Sequence, residues 1–350
     1  MLAGCSGDLA IYIGNGHAAW EASICNTFSR GDKALCIING RFGRIWAGIA
    51  QSMGVEVETL DIGNKSAADP TQLAAALKAD TKHKIKAVLS VQTDTASSST
   101  NDIAALRSAI DSANHPALLV IDSIASFGCE PFNMDKLGVD VMITASQKGL
   151  MTVPGIAFMF TSEKFWSHQK HADLVTPYWD AEPRVNPPGF TDNFNGTPPT
   201  HHLYGLREAI DMLLEEGIEN TWNRHETIAQ SVWAAIEVWG QHGMLECNIA
   251  NTKQRSKAVT TINTPPGVAQ KLQQVCQEQF GVILGVGLHP DPKGGIQDNV
   301  FRIGHMGHLN PPMILGTLGV IEAGLAVLNV QRGPGAVDAA AAVLARSASS

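Results

Sequence analysis

The chain has 350 residues, 44% of them hydrophobic and 17% charged, which suits a globular protein with a large core and more than one domain. A formal net charge of −8 argues against a general nucleic-acid binder. Six cysteines, Cys5, Cys25, Cys36, Cys129, Cys247 and Cys276, form no Cys-x-x-Cys pair and read as reduced thiols of a cytoplasmic protein, not as a disulfide frame or zinc site.

The N-terminus shows no basic segment followed by an apolar run, so no secretory signal is expected. Residues 8–13 read as a short strand, broken by Gly14-Asn-Gly-His17, with helix from Ala18 onward. A glycine-rich strand-to-helix turn gathers backbone N–H groups and a helix dipole at one point, which suits a phosphate. An ordinary tight turn uses the same residues. Strand 34–38 leads into Asn39-Gly-Arg-Phe-Gly43 and a helix through Met53, where Phe42 alone reads as a core aromatic. A strand is expected at 55–60, a helix at 71–78 and a strand at 85–91. Gln92-Thr-Asp-Thr-Ala-Ser-Ser-Ser99 follows as a polar loop capping a helix over 102–113.

The next two strands end in chemistry. Residues 117–122 form an apolar run that stops at Asp122. A second run, with Val139, Val141 and Ile143, ends in Ser146-Gln-Lys-Gly149, and Lys148 lies 26 residues beyond Asp122. That distance leaves room for one crossover and one strand of a parallel sheet. In open α/β sheets, ligands sit beyond the carboxyl ends of the strands. A lysine that condenses with an aldehyde and a carboxylate beside a pyridine nitrogen are the two groups that pyridoxal phosphate chemistry requires. A lone Asp there is otherwise a helix cap or a metal ligand.

Strand 155–160 precedes a stretch, 167–196, with little periodicity. Helices follow over 200–215 and 222–239, the second leading to a smaller C-terminal domain. There, strands are expected at 258–263, 281–285 and 301–304, and helices at 266–279 and 311–328. The stretch 311–330 is the most apolar, but Glu322 and three glycines mark it as a buried helix, not a membrane span. His305 and His308 lack the further ligands a metal needs. The tail after Gln331 is Ala- and Ser-rich, with helical pattern and frayed ends.

Six segments carry a resemblance: Gly14-Asn-Gly-His-Ala-Ala-Trp-Glu-Ala22, Asn39-Gly-Arg-Phe-Gly43, Asp122-Ser-Ile-Ala-Ser126, Ser146-Gln-Lys-Gly-Leu-Met151, Gly196-Thr-Pro-Pro-Thr200 with Tyr204-Gly-Leu-Arg-Glu208, and Phe301-Arg-Ile-Gly-His305. In type and order they are similar to the class V aminotransferases of the fold-type I pyridoxal-phosphate enzymes, within the serine/alanine/aspartate–glyoxylate aminotransferase group. The resemblance implies an α/β fold. A large domain, 1–235, would hold a mostly parallel seven-stranded-type sheet, and a smaller α/β domain would span 236–350.

It also implies pyridoxal 5'-phosphate as cofactor, with Lys148 bonded to it and Asp122 keeping its ring nitrogen protonated. Asn15, Gly16 and His17 would hold the phosphate, chiefly through backbone N–H groups, and Ser146 would add a contact. Phe42 would stack on the ring, where many relatives carry tryptophan. Gln147 would lie beside the lysine–cofactor bond. Thr95 matches the hydroxyl residue of the segment His-Asn-Glu-Thr-Ala-Thr-Gly, from which Gln92 and Ser98 depart. Thr197 would reach the neighbouring subunit's phosphate, or simply cap the helix starting at Thr200. Arg302 would hold the substrate carboxylate with its planar donor fork, although an isolated Arg is by default a surface ion pair.

The implied reaction is ping-pong transfer of an amino group from serine, alanine or aspartate to glyoxylate or another 2-oxo acid, in a homodimer with shared active sites. Lys148, freed by the substrate, would move the proton, and Asp122 would stabilise the ring cation. Two alternatives stay open: another class V enzyme, a lyase or desulfurase, and a truncated non-catalytic paralogue. A desulfurase needs a cysteine on a mobile loop, and Cys247 and Cys276 stand in helix- or strand-like contexts. The family also carries a segment before the first strand, with a Pro-Gly-Pro motif, whereas this sequence opens almost at that strand.

Overall fold

A computed structural model describes residues 2–243, 245–289 and 297–348. Its strands are β1 (Asp8–Gly14), β2 (Lys33–Ile38), β3 (Glu56–Asp61), β4 (Ile85–Val91), β5 (Thr93–Asp94), β6 (Ser99–Thr100), β7 (Leu118–Asp122), β8 (Val141–Ala145), β9 (Gly155–Thr161), β10 (Glu246–Cys247), β11 (Val259–Asn263), β12 (Gly285–Val286) and β13 (Val300–Gly304). Its α-helices are α1 (Gly16–Thr27), α2 (Arg41–Ser52), α3 (Pro70–Ala79), α4 (Ile103–Ser112), α5 (Met134–Leu137), α6 (Glu163–Gln169), α7 (Glu182–Val185), α8 (Thr200–Glu216), α9 (Ile218–Gly240), α10 (Val268–Phe280), α11 (Pro311–Val327) and α12 (Ala336–Ala348).

Seven strands make one sheet in the order β1-β9-β8-β7-β4-β2-β3. β3, β2, β4, β7 and β8 run parallel, and β9 pairs antiparallel with both β8 and β1. Every residue of β7 and β8 is buried, as expected of apolar strands covered on both faces. One face packs on Trp20 and Ile24 of α1 and Trp46 of α2. The other packs on Leu73 of α3, Leu106 of α4 and Leu213 of α8. The parallel strands therefore deliver their carboxyl ends, Asp122 among them, to one edge of the sheet.

A second sheet, β10-β11-β13-β12, is antiparallel throughout. It shares an apolar cluster with Trp239 of α9, Leu272 of α10 and Leu318 of α11. Helix α9 packs along α12. The expected strand over 281–285 shrinks to Gly285–Val286. Gly281 takes φ 73° and closes α10, and the Val282 N–H bonds back to the Cys276 carbonyl at 2.9 Å, so these residues serve the helix end. Helix α11 is half-buried, and among the described residues no helix is long and apolar enough to cross a membrane.

The aperiodic stretch 167–196 keeps α7 and a 3-10 turn, Phe190–Phe194. Buried Arg184 organises it. Its guanidinium donates to the carbonyls of Ile11 (2.8 Å), Tyr178 (2.6 Å) and Asn193 (3.2 Å) and lies over the Tyr12 ring. One side chain that holds three carbonyls replaces the periodic packing the sequence lacks.

His305, at the end of β13, is fully buried and neutral. Nδ1 faces the Lys257 carbonyl at 3.0 Å and must carry the hydrogen; Nε2 takes the Thr260 hydroxyl at 2.8 Å. His225 is fixed likewise, accepting the Gly307 N–H at Nε2 and facing the Thr221 carbonyl through Nδ1. Burial pushes both rings down to about 4. The folded value lies below the unfolded one, so this stability is fully present above pH ~6.5 and is lost as pH falls toward 4, on the order of 3 kcal/mol per ring. The thermal midpoint of a His305→Gln variant, itself lower at pH 7, should therefore fall less than wild type between pH 7 and 5. Parallel slopes would refute the assignment.

Candidate active site

The carboxyl edge of the large sheet opens into a cavity of about 240 Å³. Asn15, Gly16, His17, Phe42, Thr95, Asp122, Gln147 and Lys148 line it, together with Trp20, Val91, Thr93, Ile124 and Ala125. Asp122 and Lys148, 26 residues apart in sequence, thus face one space.

Asp122 is nearly inaccessible. Oδ2 accepts the Trp20 indole N–H at 2.7 Å, and Oδ1 accepts the Ile124 N–H at 2.7 Å. Burial pushes its carboxyl up to about 7, against those two hydrogen bonds and the attraction of Lys148. Burial also lowers Lys148, and the charge of Arg302 lowers it further. Asp122 and Lys148 favour each other's charge, but desolvation wins on both sides.

Helix α1 starts at the cavity. Gly16 is its first residue, and a Cβ there would meet Ile124 Cδ1 at 2.6 Å. The side chain of Asn15 already accepts the His17 N–H at 3.0 Å, so that donor is engaged within the turn. Trp20, one turn on, carries the Asp122 bond and stacks on Trp46 with an interplanar angle of 15°.

Phe42 sits in the first turn of α2, whose N-terminus is capped from a distance. Asp94, fully buried, accepts from the N–H groups of Phe42 (2.7 Å) and Gly43 (3.1 Å) through Oδ2, and from Ala96 through Oδ1. A Cβ on Gly40 would fall 2.3 Å from the Asp94 carboxyl carbon, so this close approach requires glycine. Asp94 was not a candidate from sequence, because its role is to fix Phe42, not to face the cavity.

Three expected residues do not line the cavity. The Ser146 hydroxyl donates to the Val153 carbonyl at 2.7 Å, and the Ser146 carbonyl accepts the Thr152 N–H. It closes the turn that presents Lys148 and has no free hydrogen left for a phosphate. Arg302, on β13, donates through Nε to Val286 O (2.7 Å) and through Nη1 to Thr95 O (2.8 Å), which brings it next to a lining residue. Thr197 lies in the loop before α8. It caps nothing: the N-cap of α8 is Pro199, without a side-chain bond.

The two departures in the 92–98 loop have physical explanations. Gln92 accepts from the hydroxyls of Ser123 and Ser126, holding the turn after Asp122. Ser98 takes φ 61°, a conformation suited to glycine, and bonds Thr261 at 2.6 Å. Of the lining residues missed in the sequence, Trp20 had a signal: it lies four positions after Gly16, on the same helix face. Thr93, Val91, Ile124 and Ala125 flank chosen positions but carry no distinguishing chemistry.

Residues 11–294 match the family described as aminotransferase class-V. The chain belongs to that family. It is therefore an aminotransferase, and the family and its fold neighbours imply pyridoxal phosphate. A serine–glyoxylate aminotransferase of Methylorubrum extorquens is 36% identical over 96% of this chain and 82% of its own length. An L-aspartate–glyoxylate aminotransferase of Paracoccus denitrificans is 34% identical over 94% and 81%. The solved pyridoxamine–pyruvate aminotransferase of Mesorhizobium loti superposes with a TM-score of 0.88 at 25% identity, covering 99% of this chain and 86% of that one.

The cavity suits such a cofactor. Apolar faces from Phe42, Val91 and Ile124 fit a flat ring, and the Asp122 carboxyl has no full cationic partner. Gln147 keeps a buried side-chain oxygen without a hydrogen-bond partner. Removing the Phe42 ring should weaken pyridoxal phosphate binding at least about fivefold, given ~1 kcal/mol of stacking beyond area burial. Quenching of tryptophan fluorescence in a Phe42→Ala titration measures this; an unchanged dissociation constant would remove Phe42 from the site.

Proposed function

We propose that this enzyme moves the amino group of a small L-amino acid (serine, alanine or aspartate) to glyoxylate or another 2-oxo acid by a ping-pong mechanism. The carrying observation is the convergence of Lys148 and Asp122 on one cavity, with Arg302 held beside its wall. The names of the Methylorubrum and Paracoccus relatives support serine and aspartate as donors and glyoxylate as acceptor.

In this reading, bound pyridoxal phosphate supplies an electron sink and a carrier for the amino group. Lys148, Gln147, Asp122, Phe42 and Thr95, with Asn15, Gly16 and His17 at the helix start, would hold it. Asp122 would face the ring nitrogen and favour its protonated form, which would offset the burial of the carboxylate. Lys148 Nζ takes the proton from the substrate α-carbon and returns it elsewhere, a task suited to an amine whose proton affinity is lowered. Arg302 keeps Nη2 for the substrate carboxylate while Nε and Nη1 are anchored on carbonyls.

We further propose two domains, meeting near residue 235 in the later turns of α9, and a homodimer in which Thr197 reaches the partner's cofactor. Phe190 and Tyr204, 70% and 76% exposed on either side of Thr197, support a covered face there. A desulfurase reading has no support from the cysteines, since none lines the cavity.

The test is the visible absorbance of the holoenzyme as L-serine, L-alanine and L-aspartate are added in turn. One donor should bleach the cofactor band, and glyoxylate should restore it. Lys148→Ala should lose at least about 10²-fold in turnover and fail to retain the cofactor covalently on borohydride reduction. No bleaching with any donor would end the transaminase assignment for these substrates.

A further inference from the structure

A second concavity, of about 360 Å³, adjoins the first turn of α2, which carries Phe42. Gly40, Arg41, Arg44, Ile45, Asn64 and His289 line it. Phe42, directly after Arg41, lines the first cavity, so the first turn of α2 borders both spaces. Ala96 and Thr95 connect them from the other side: the His289 ring points at the Ala96 carbonyl, and the Thr95 carbonyl holds Arg302.

The charges here are almost all of one sign. Among the described residues, Arg41 has neither an ion pair nor a hydrogen bond. Arg44 is shared with Asp61 at 2.8 Å. The charges of Lys65 and Arg302 also act on His289, with Lys65 only loosely paired to Glu246 at 3.9 Å. The remaining acid, Asp94, is committed to backbone N–H groups. In the middle stands His289, 3% exposed, with Nε2 buried and without a partner. Buried polar atoms are rarely left so, and a ring nitrogen among cations has one natural complement, an anion that brings or retains a proton at Nε2.

We infer that this pocket is a carboxylate subsite, which takes the distal carboxylate of a dicarboxylic amino acid or 2-oxo acid whose α-carboxylate rests on Arg302. The inference builds on the transaminase reading and narrows its substrate class to acidic donors or acceptors. Arginine supplies the fork for a carboxylate, and Asn64 supplies a neutral donor. His289 is neutral when nothing is bound, since burial and the cations Lys65 and Arg302 hold it down to about 4. An anion reverses that balance, so binding takes up to one proton and strengthens as pH falls.

The test titrates succinate and butyrate, of equal chain length, into the holoenzyme by calorimetry in two buffers of different ionisation enthalpy. Succinate is expected to bind at least tenfold tighter, with proton uptake that butyrate lacks. Arg41→Ala should remove the preference, and His289→Asn, which needs no change of fold around Phe42, should remove the uptake. The ratio of kcat/KM for L-aspartate over L-alanine should fall at least tenfold in Arg41→Ala. Equal affinity for the two acids, or a ratio unchanged in both variants, would overturn the inference. So would inorganic phosphate bound without competition against aspartate, because the pocket would then serve a free anion. If wild type transaminates no donor, the functional reading fails, while the succinate titration still decides the pocket.

Discussion

A carboxylate stripped of water at the end of a central strand sets the terms for the whole molecule. Asp122 closes β7, which is buried along its length between β4 and β8. Two hydrogen bonds hold it in place, yet burial still drives it toward its neutral form. Such a group is costly unless a cation joins it. The nearest lysine cannot serve fully, being desolvated itself and opposed by Arg302. The sheet thus builds a place for a ligand cation, and Trp20, braced on Trp46, keeps the carboxylate aimed at it.

The 93–100 hairpin is the joint between the two sheets. Asp94 caps α2 and so sets Phe42, the Thr95 carbonyl holds Arg302, and Ser98 bonds Thr261 of β11. Beneath it, buried Glu130 gathers the Thr93 hydroxyl, the Ser256 hydroxyl and the Lys257 N–H on one oxygen. With the Thr100 hydroxyl at 3.4 Å as a fourth donor on that atom, the carboxylate resists displacement, since losing any donor leaves a buried acceptor less satisfied. This network carries the small sheet's arginine to the large sheet's cavity.

What the sequence made legible follows from which constraints are local. Strand ends in Asp122 and Lys148 could be read because parallel strands are continuous apolar runs and their last polar residue stands out. The helices expected from Ala18 and from residue 102 begin at Gly16 and Ile103, but their caps, Asn15 and Asp102, were not picked out. Asp94 and Glu130 were invisible because their partners lie up to 52 and 127 residues away. Ser146 was expected at the phosphate from the resemblance, but a matching motif does not say where a hydroxyl spends its hydrogen, here the Val153 carbonyl. The strand expected over 281–285 failed because Gly281 was needed at positive φ to end α10, and glycine reads equally well as either.

Arg302 gives the site its coupling. Its guanidinium is anchored by Nε and Nη1 and depresses the lysine across the cavity. A carboxylate bound on the remaining nitrogen cancels much of that field, because opposite charges in contact act at a distance nearly as a dipole. On the proposed reading, the proton affinity of Lys148 would then rise when the substrate α-carbon is in position to give up its proton. Before binding, burial and Arg302 both lower the proton affinity of the amine; on the proposed reading, binding would remove the second of these. A surface ion pair in water would transmit almost none of this, since screening would hide each charge from the next. On that reading, burial of both cations would let the substrate's own charge act as the switch.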